Sequence, residues 1–183
     1  MKALQEEKRY TYSDYLAWDD DVRYELIDGI PYMLASPSVE HQRVLRGLFG
    51  QLYVFLEGKP CEVFSAPFDV RLNADGKDDD VVQPDLLVVC DKTKLDKTCN
   101  GAPDMIIEIL SPSSVQRDSF IKLMKYQKYG VREYWIVDPE SQAVNVFLLE
   151  NGKYTVTTYT KNDHIPVHVL SGCTINLSDV FAD

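Results

Sequence analysis

Two acidic residues stand inside otherwise apolar runs, Asp85 in VVQPDLLVVC and Glu108 in DMIIEILS. A carboxylate buried without a partner is costly, so each needs an explanation. A divalent cation answers for both. Two strand carboxylates converging on Mg²⁺ (or Mn²⁺), at about 2.0–2.1 Å for Mg²⁺, share its charge and leave positions for water and for a phosphate oxygen. Taken singly, each acid has a plainer reading: Asp85 ends a strand after Pro84, and Glu108 pairs with a Lys or Arg. Taken together, 23 positions apart (108 − 85) on two strands joined by a loop, they favour the metal.

Other residues are candidates to complete such a site. In the segment after Glu108, Asp118, Lys122, Lys125 and Tyr129 recur at i, i+4, i+7 and i+11, one stripe of a helix. The spacing predicts Phe120, Leu123, Met124 and Gln127 as the buried side opposite. On periodicity alone Asp118 and Lys122 form an exposed ion pair worth about 0.3–0.5 kcal/mol. Glu25 in YELIDG and His41 in SPSVEHQRV are further candidates, with a strand-edge surface acid and a packing residue as their bland alternatives. His164 and His168 read as surface residues of the tail, and no glycine-rich stretch has phosphate-loop spacing.

Pro84-Asp85, then Glu108 in a strand, then EILSPSSVQRDSFIKLMKYQKYGVREYWIVDP at 108–139 resemble the PD-(D/E)XK nuclease superfamily, specifically its Uma-type branch of restriction-endonuclease-like proteins. The dipeptide alone is weak. The long run with SPSS, Asp118, Lys122, Tyr126 and YWIVDP is specific, and the likeness extends from YELIDG through the C-terminal hairpin. The resemblance implies a metal held by Asp85, Glu108 and the Ile109 carbonyl, and hydrolysis of phosphodiester bonds in nucleic acid, DNA first. It also implies catalytic roles for Glu25 and His41. In the superfamily's usual motif a lysine follows the acid by two positions, where this chain has Leu110. The resemblance implies that Lys122, on the following helix, supplies that ammonium instead.

The elements that must position these residues are legible. TYSDYLAWDD predicts a short helix capped by Thr11 or Ser13, with Tyr15, Leu16 and Trp18 facing inward. Asp28-Gly29 predicts a hairpin between RYELIDG and IPYMLAS. A helix is expected from about Val39 to Glu57, with Val44, Leu48 and Leu52 at helical spacing and Gly58 closing it. EVFSAPFDVRL, VVQPDLLVVC and MIIEIL are expected to supply the sheet centre. A helix from Ser113 or Ser114 to about Tyr129, stopped by Gly130, then connects MIIEIL to EYWIV, a crossover that predicts parallel pairing. Asn151-Gly152 centres a second hairpin, which could serve a homodimer. The fold class is α/β and restriction-endonuclease-like, a central mixed sheet flanked by helices with a hairpin near each end, in one domain over 1–183.

The 183 residues carry 19 Lys and Arg against 29 Asp and Glu, a net charge of −10 that opposes phosphate binding. The charges are uneven, with GKDDD at 76–80 acidic while Arg117, Lys122, Lys125, Lys128 and Arg132 share one segment. Cys61, Cys90, Cys99 and Cys173 form no CxxC pair and are expected to be reduced packing thiols. With no long apolar run and no signal-like start, a cytoplasmic protein without membrane partners is expected. Two rivals stand beside the metal-dependent nuclease. One is a catalytically inactive binding or regulatory module on the same scaffold, which permits metal binding without cleavage; the other is a structural self-associating protein that binds no metal.

Overall fold

The computed structural model describes residues 8–19, 22–111 and 117–182, with the side chains of 117 and 118 left aside. The elements in chain order are α1 (Tyr12–Tyr15), β1 (Tyr24–Ile27), β2 (Ile30–Met33), α2 (Val39–Leu56), β3 (Glu62–Ser65), β4 (Val70–Arg71), β5 (Val81–Val82) and β6 (Leu86–Val89). They continue with β7 (Cys99–Asn100), β8 (Met105–Ile109), a π-helical turn (Arg117–Lys122), α3 (Leu123–Tyr129), β9 (Glu133–Asp138), β10 (Ala143–Glu150), β11 (Lys153–Thr160), β12 (His164–Pro166), β13 (Thr174–Asn176) and α4 (Leu177–Val180).

The main sheet has the order β11-β10-β9-β8-β6-β3. β8 and β9 pair in parallel, as their helical crossover requires, and the other neighbours are antiparallel. Side chains alternate across it. Leu86, Val88, Ile107, Ile109, Trp135 and Val137 face one core with Val44, Leu48, Leu52 and Leu56 of α2. Leu87, Val89, Ile106, Tyr134 and Ile136 face a second core with Tyr126 and with Val70, Val82 and Cys99 of a smaller sheet, ordered β2-β1-β5-β4-β7. Every position of β6 and β8 is buried, as strands covered on both faces must be.

Several expectations hold and several are corrected. Thr11 caps α1 in a reciprocal capping box with Asp14, but the helix stops at Tyr15 and Leu16 is exposed rather than facing inward. Ser38 caps α2, and the two hairpins turn at Asp28-Gly29 and Asn151-Gly152 with positive φ at all four residues. EVFSAPFDVRL and VVQPDLLVVC are each split between the two sheets, at Ala66-Pro67 and at Gln83-Pro84, because proline cannot donate to a central ladder. β8 and β9 hold the centre of the main sheet, and β3 is its edge. The proposed cap at Ser113 or Ser114 lies outside the described residues.

On the helix after β8 the expected buried side holds only in part: Leu123 and Gln127 are half-buried, Leu123 against the second core, but Phe120 and Met124 point outward. Phe120 and Met124 are 68% and 52% exposed, whereas Lys122 is 2% exposed and Tyr126 fully buried. The inward stripe is the polar one because its partners are carboxylates. Lys125 Nζ reaches Asp28 Oδ1 at 2.5 Å and Asp80 Oδ1 at 2.9 Å, and the Tyr129 hydroxyl donates to Asp80 Oδ2 at 2.5 Å. The Asp28 N–H also donates to Asp80 Oδ1. The β1–β2 turn, the loop before β5 and α3 are thereby fastened together. Burial alone would pull the Lys125 ammonium down, but its bonds to Asp28 and Asp80 outweigh this and hold it above its ordinary value.

The cysteine expectation is also corrected. Cys61 and Cys90 form a disulfide, while Cys99 and Cys173 are buried free thiols. The β3–β6 register pairs Glu62 with Val89, so one step further sets Cys61 against Cys90, an adjacency invisible in linear spacing. No helix among the described residues is long and apolar enough to cross a membrane.

Two measurements check this packing. A Cβ on Gly47 of α2 would lie 2.9 Å from the Val180 Cα of α4, so Gly47→Ala is expected to cost about 1–3 kcal/mol in denaturant unfolding; an unchanged midpoint would contradict the α2–α4 contact. Thiol titration of unreduced, denatured protein should find two reactive groups, and four after reduction.

Candidate active site

Glu108 occupies a position in β8 whose neighbour on the same face is Ile106, so the chain places a carboxylate in an apolar row of the second core. Its Oε1 accepts from Lys122 Nζ at 2.8 Å and from the Tyr126 hydroxyl at 2.7 Å. Both donors come from the crossover that follows β8. Lys122 ends the π-helical turn, and Tyr126 lies one α-helical turn beyond it, on the same inward stripe.

Glu25 is fully buried on β1, not at a surface edge. Its Oε1 lies 2.7 Å from Lys122 Nζ and also accepts from the Gln83 N–H at 2.9 Å. One ammonium therefore joins two buried carboxylates from different sheets. The arrangement also explains Tyr126, whose hydroxyl is held well above its ordinary pKa by burial, then by the nearby charges of Glu108 and Glu25, so it stays a donor.

Asp85 directly precedes β6. Continuing the β6–β8 register, in which Leu86 faces Ile107, puts Asp85 opposite Glu108. Its Oδ2 accepts from the Ile109 N–H at 2.7 Å and lies 3.1 Å from His41 Nε2. His41 is carried by the first turn of α2, where the Ser38 hydroxyl oxygen accepts from the His41 N–H. Arg43 and Arg46, one turn further on, are exposed. The Asp85 side chain is 20% exposed, which makes it the solvent-facing acid of the group, while Glu25 and Glu108 lie behind it.

The structure thus gathers the five residues named from sequence into two connected sets, Glu25–Lys122–Glu108 and His41–Asp85, joined where Asp85 binds the backbone of β8 beside Glu108. Asp118 is not among the side chains described. Reasoning from sequence missed the Tyr126 bond to Glu108 and the role of Gln83, whose N–H reaches Glu25 and whose side chain donates to Asp69 at 2.8 Å. The signal for Tyr126 was present, four residues after Lys122 on one helical face. No local signal marks Gln83, because its contacts span 58 and 14 positions.

A divalent cation fits the donor set. Among the described residues no three His, Cys, Asp or Glu side chains converge closely enough to hold a metal by themselves. Mg²⁺ does not require that, since it keeps several waters and binds through one or two carboxylates. Formally, Glu25, Asp85 and Glu108 with Lys122 sum to −2, the charge one dication balances. Removing Lys122 leaves two buried acids facing each other. Lys122→Met should therefore lower unfolding stability by about 3–5 kcal/mol in denaturant titration; a change within experimental scatter would contradict the buried ion triad.

Comparison with known proteins bears on the fold and the family. A search of curated proteins finds no match. The fold is similar to that of a solved structure from Anabaena variabilis ATCC 29413, titled a "putative nuclease belonging to DUF820". The TM-score is 0.77 at 19% identity, covering 94% of this chain and 97% of the other. Residues 12–178 match the Uma2 family, described as "Putative restriction endonuclease", and the chain belongs to that family.

Proposed function

We propose that the protein is a divalent-metal-dependent nuclease that hydrolyses phosphodiester bonds, DNA being the favoured substrate. The observation that carries this is the return of Lys122 to within 2.8 Å of Glu108. Leu110 stands where the superfamily's motif has its lysine, and the crossover helix restores an ammonium beside the acid from a different place in the chain. Family membership and the fold of the Anabaena structure support the same reading.

Asp85, Glu108 and the Ile109 carbonyl are the groups that would hold Mg²⁺ or Mn²⁺. Such an ion supplies a water of lowered pKa and neutralises charge on the phosphate oxygens. The chain's own residues do the rest. The Ile109 N–H fixes the orientation of Asp85, and His41 Nε2 lies against the same oxygen, next to the solvent-facing side of the site. Lys122 stabilises negative charge from a position preset by two carboxylates, so little reorganisation is needed when a phosphate arrives. Glu25 acts through Lys122 as a positioning residue. The exposed Arg43 and Arg46, with the N-terminal end of α2, offer phosphate contacts on a chain that is otherwise acidic. In this reading the protein works as a homodimer, with two sites to cut both strands of a duplex.

The test is cleavage of DNA and RNA panels with Mg²⁺ or Mn²⁺. Asp85→Ala and Glu108→Gln should each reduce the rate about a hundredfold or more, since each removes a metal-binding carboxylate worth several kcal/mol in the transition state. Rates unaffected by both changes would sink the assignment. The net charge of −10 favours one second reading, a module that binds metal without turnover. Calorimetric Mn²⁺ binding lost in Asp85→Ala, with no cleavage by the wild type, would select it.

A further inference from the structure

Lys122 and Tyr126 both meet Glu108 on the same oxygen, and they are donors of different kinds. Lys122 Nζ lies 2.8 Å from Oε1, and the Tyr126 hydroxyl donates to that same Oε1 at 2.7 Å. The ammonium is divided, since it also lies 2.7 Å from Glu25 Oε1. An ammonium is a compact charge with three rotatable donors on a flexible stem, and it attracts either oxygen of a carboxylate alike. The last torsion of a glutamate is broad and roughly two-fold, so it sets no preference of its own. With the ammonium as the only donor, the carboxylate would turn either oxygen, or both, towards it. A second donor on Oε1, arriving from another direction, removes that choice.

The hydroxyl that makes this second bond is held by packing. The Tyr126 side chain is fully buried, and its ring meets Tyr134 edge-on with centroids 4.9 Å apart. Tyr134 stacks on Phe147 at 5.8 Å, and Phe147 meets Tyr154 at 5.9 Å, so rings from α3, β9, β10 and β11 form one file. A ring packed in such a row keeps a single rotamer. A buried tyrosine hydroxyl needs a partner, and Tyr154 at the far end of the file shows the ordinary solution, donating to the Val131 carbonyl at 2.8 Å. Tyr126 directs its donor to an acid instead.

We propose that Tyr126 is a positioning residue for Glu108: it fixes the rotation of the carboxylate against the pull of Lys122, and so presents that carboxylate to the divalent cation that Glu108 and Asp85 would share. The proposal rests on the metal reading given above and adds to it a residue that touches neither metal nor substrate. The two donors divide the work. Lys122 supplies positive charge to both acids, and Tyr126, which carries no charge, supplies direction to one. Hydrogen-bond partners that orient a metal-binding side chain matter to affinity nearly as much as the ligand itself, and losing one costs about 10–100-fold.

Calorimetric titration of Mn²⁺ into the full chain, comparing Tyr126→Phe with Tyr154→Phe, tests this. Each change deletes one hydroxyl at the second core and keeps the ring, so the loss of a single hydrogen bond is matched; one hydroxyl serves a carboxylate and the other a backbone carbonyl. Tyr126→Phe should bind Mn²⁺ about 10–100-fold more weakly than the wild type. Tyr154→Phe should bind it as tightly as the wild type, and both variants should keep a cooperative thermal melt. Wild-type affinity in Tyr126→Phe overturns the proposal. Equal weakening in the two variants overturns it as well, because the loss then follows from packing and not from the bond to Glu108. A wild-type chain that takes up no Mn²⁺ overturns the metal reading itself and this proposal with it, an outcome visible before any variant is made.

Discussion

The ammonium of Lys122, held between Glu25 and Glu108, is the interaction on which the site depends. A buried carboxylate on a central strand is tolerable only with a partner, and two of them from different sheets would repel. One lysine from the crossover helix answers both. The small sheet, the main sheet and the helix that covers them share a single charged junction, and removing the lysine leaves both acids without their shared cation. Buried ion pairs of this kind contribute little net stability against an apolar alternative, so their presence points to a role in specificity or chemistry.

Around that junction the chain adds fastenings that hold the helix in place. Lys125 and Tyr129 bind Asp80 and the β1–β2 turn, and Tyr126 adds a second donor to Glu108. The result is a helix with its polar stripe inward and Phe120 and Met124 outward. Hydrophobic periodicity puts Phe120 and Met124 inside because it weighs side chains by their cost in an apolar interior, and here the apolar second core that meets the helix also holds Glu25, Glu108 and Asp80. The same consideration separates Glu133 from the site. It is an equally buried acid, but its partners are Trp135 and the Val169 N–H, which tie the C-terminal loop to β9 on the opposite face.

The net charge of −10 and a phosphate-cleaving function are compatible because charge is local. The GKDDD segment spends its acids internally, Asp78 on Arg71 and Asp80 on Lys125 and Tyr129, while Arg43 and Arg46 remain exposed on the helix that carries His41. A count of charges along the chain cannot distinguish acids that are spent in this way from acids that face solvent.

The sequence by itself determined the elements whose causes are local. The capping box at Thr11, the positive-φ turns at Asp28-Gly29 and Asn151-Gly152, the glycine stop at Gly130 and the parallel β8–β9 pair all follow from nearby residues. It also supplied the identities of Asp85, Glu108, Lys122, Glu25 and His41 as candidates, through isolated acids in apolar runs and through family resemblance. Tertiary structure alone decided how the proline-broken runs divide between two sheets, that Cys61 meets Cys90, which face of the crossover helix turns inward, and that Glu25 and Glu108 share one ammonium. Each of these joins residues far apart in the chain. Periodicity and propensity act over one or two turns, whereas the pairing of buried charges is settled only when strands from both sheets close on the same helix.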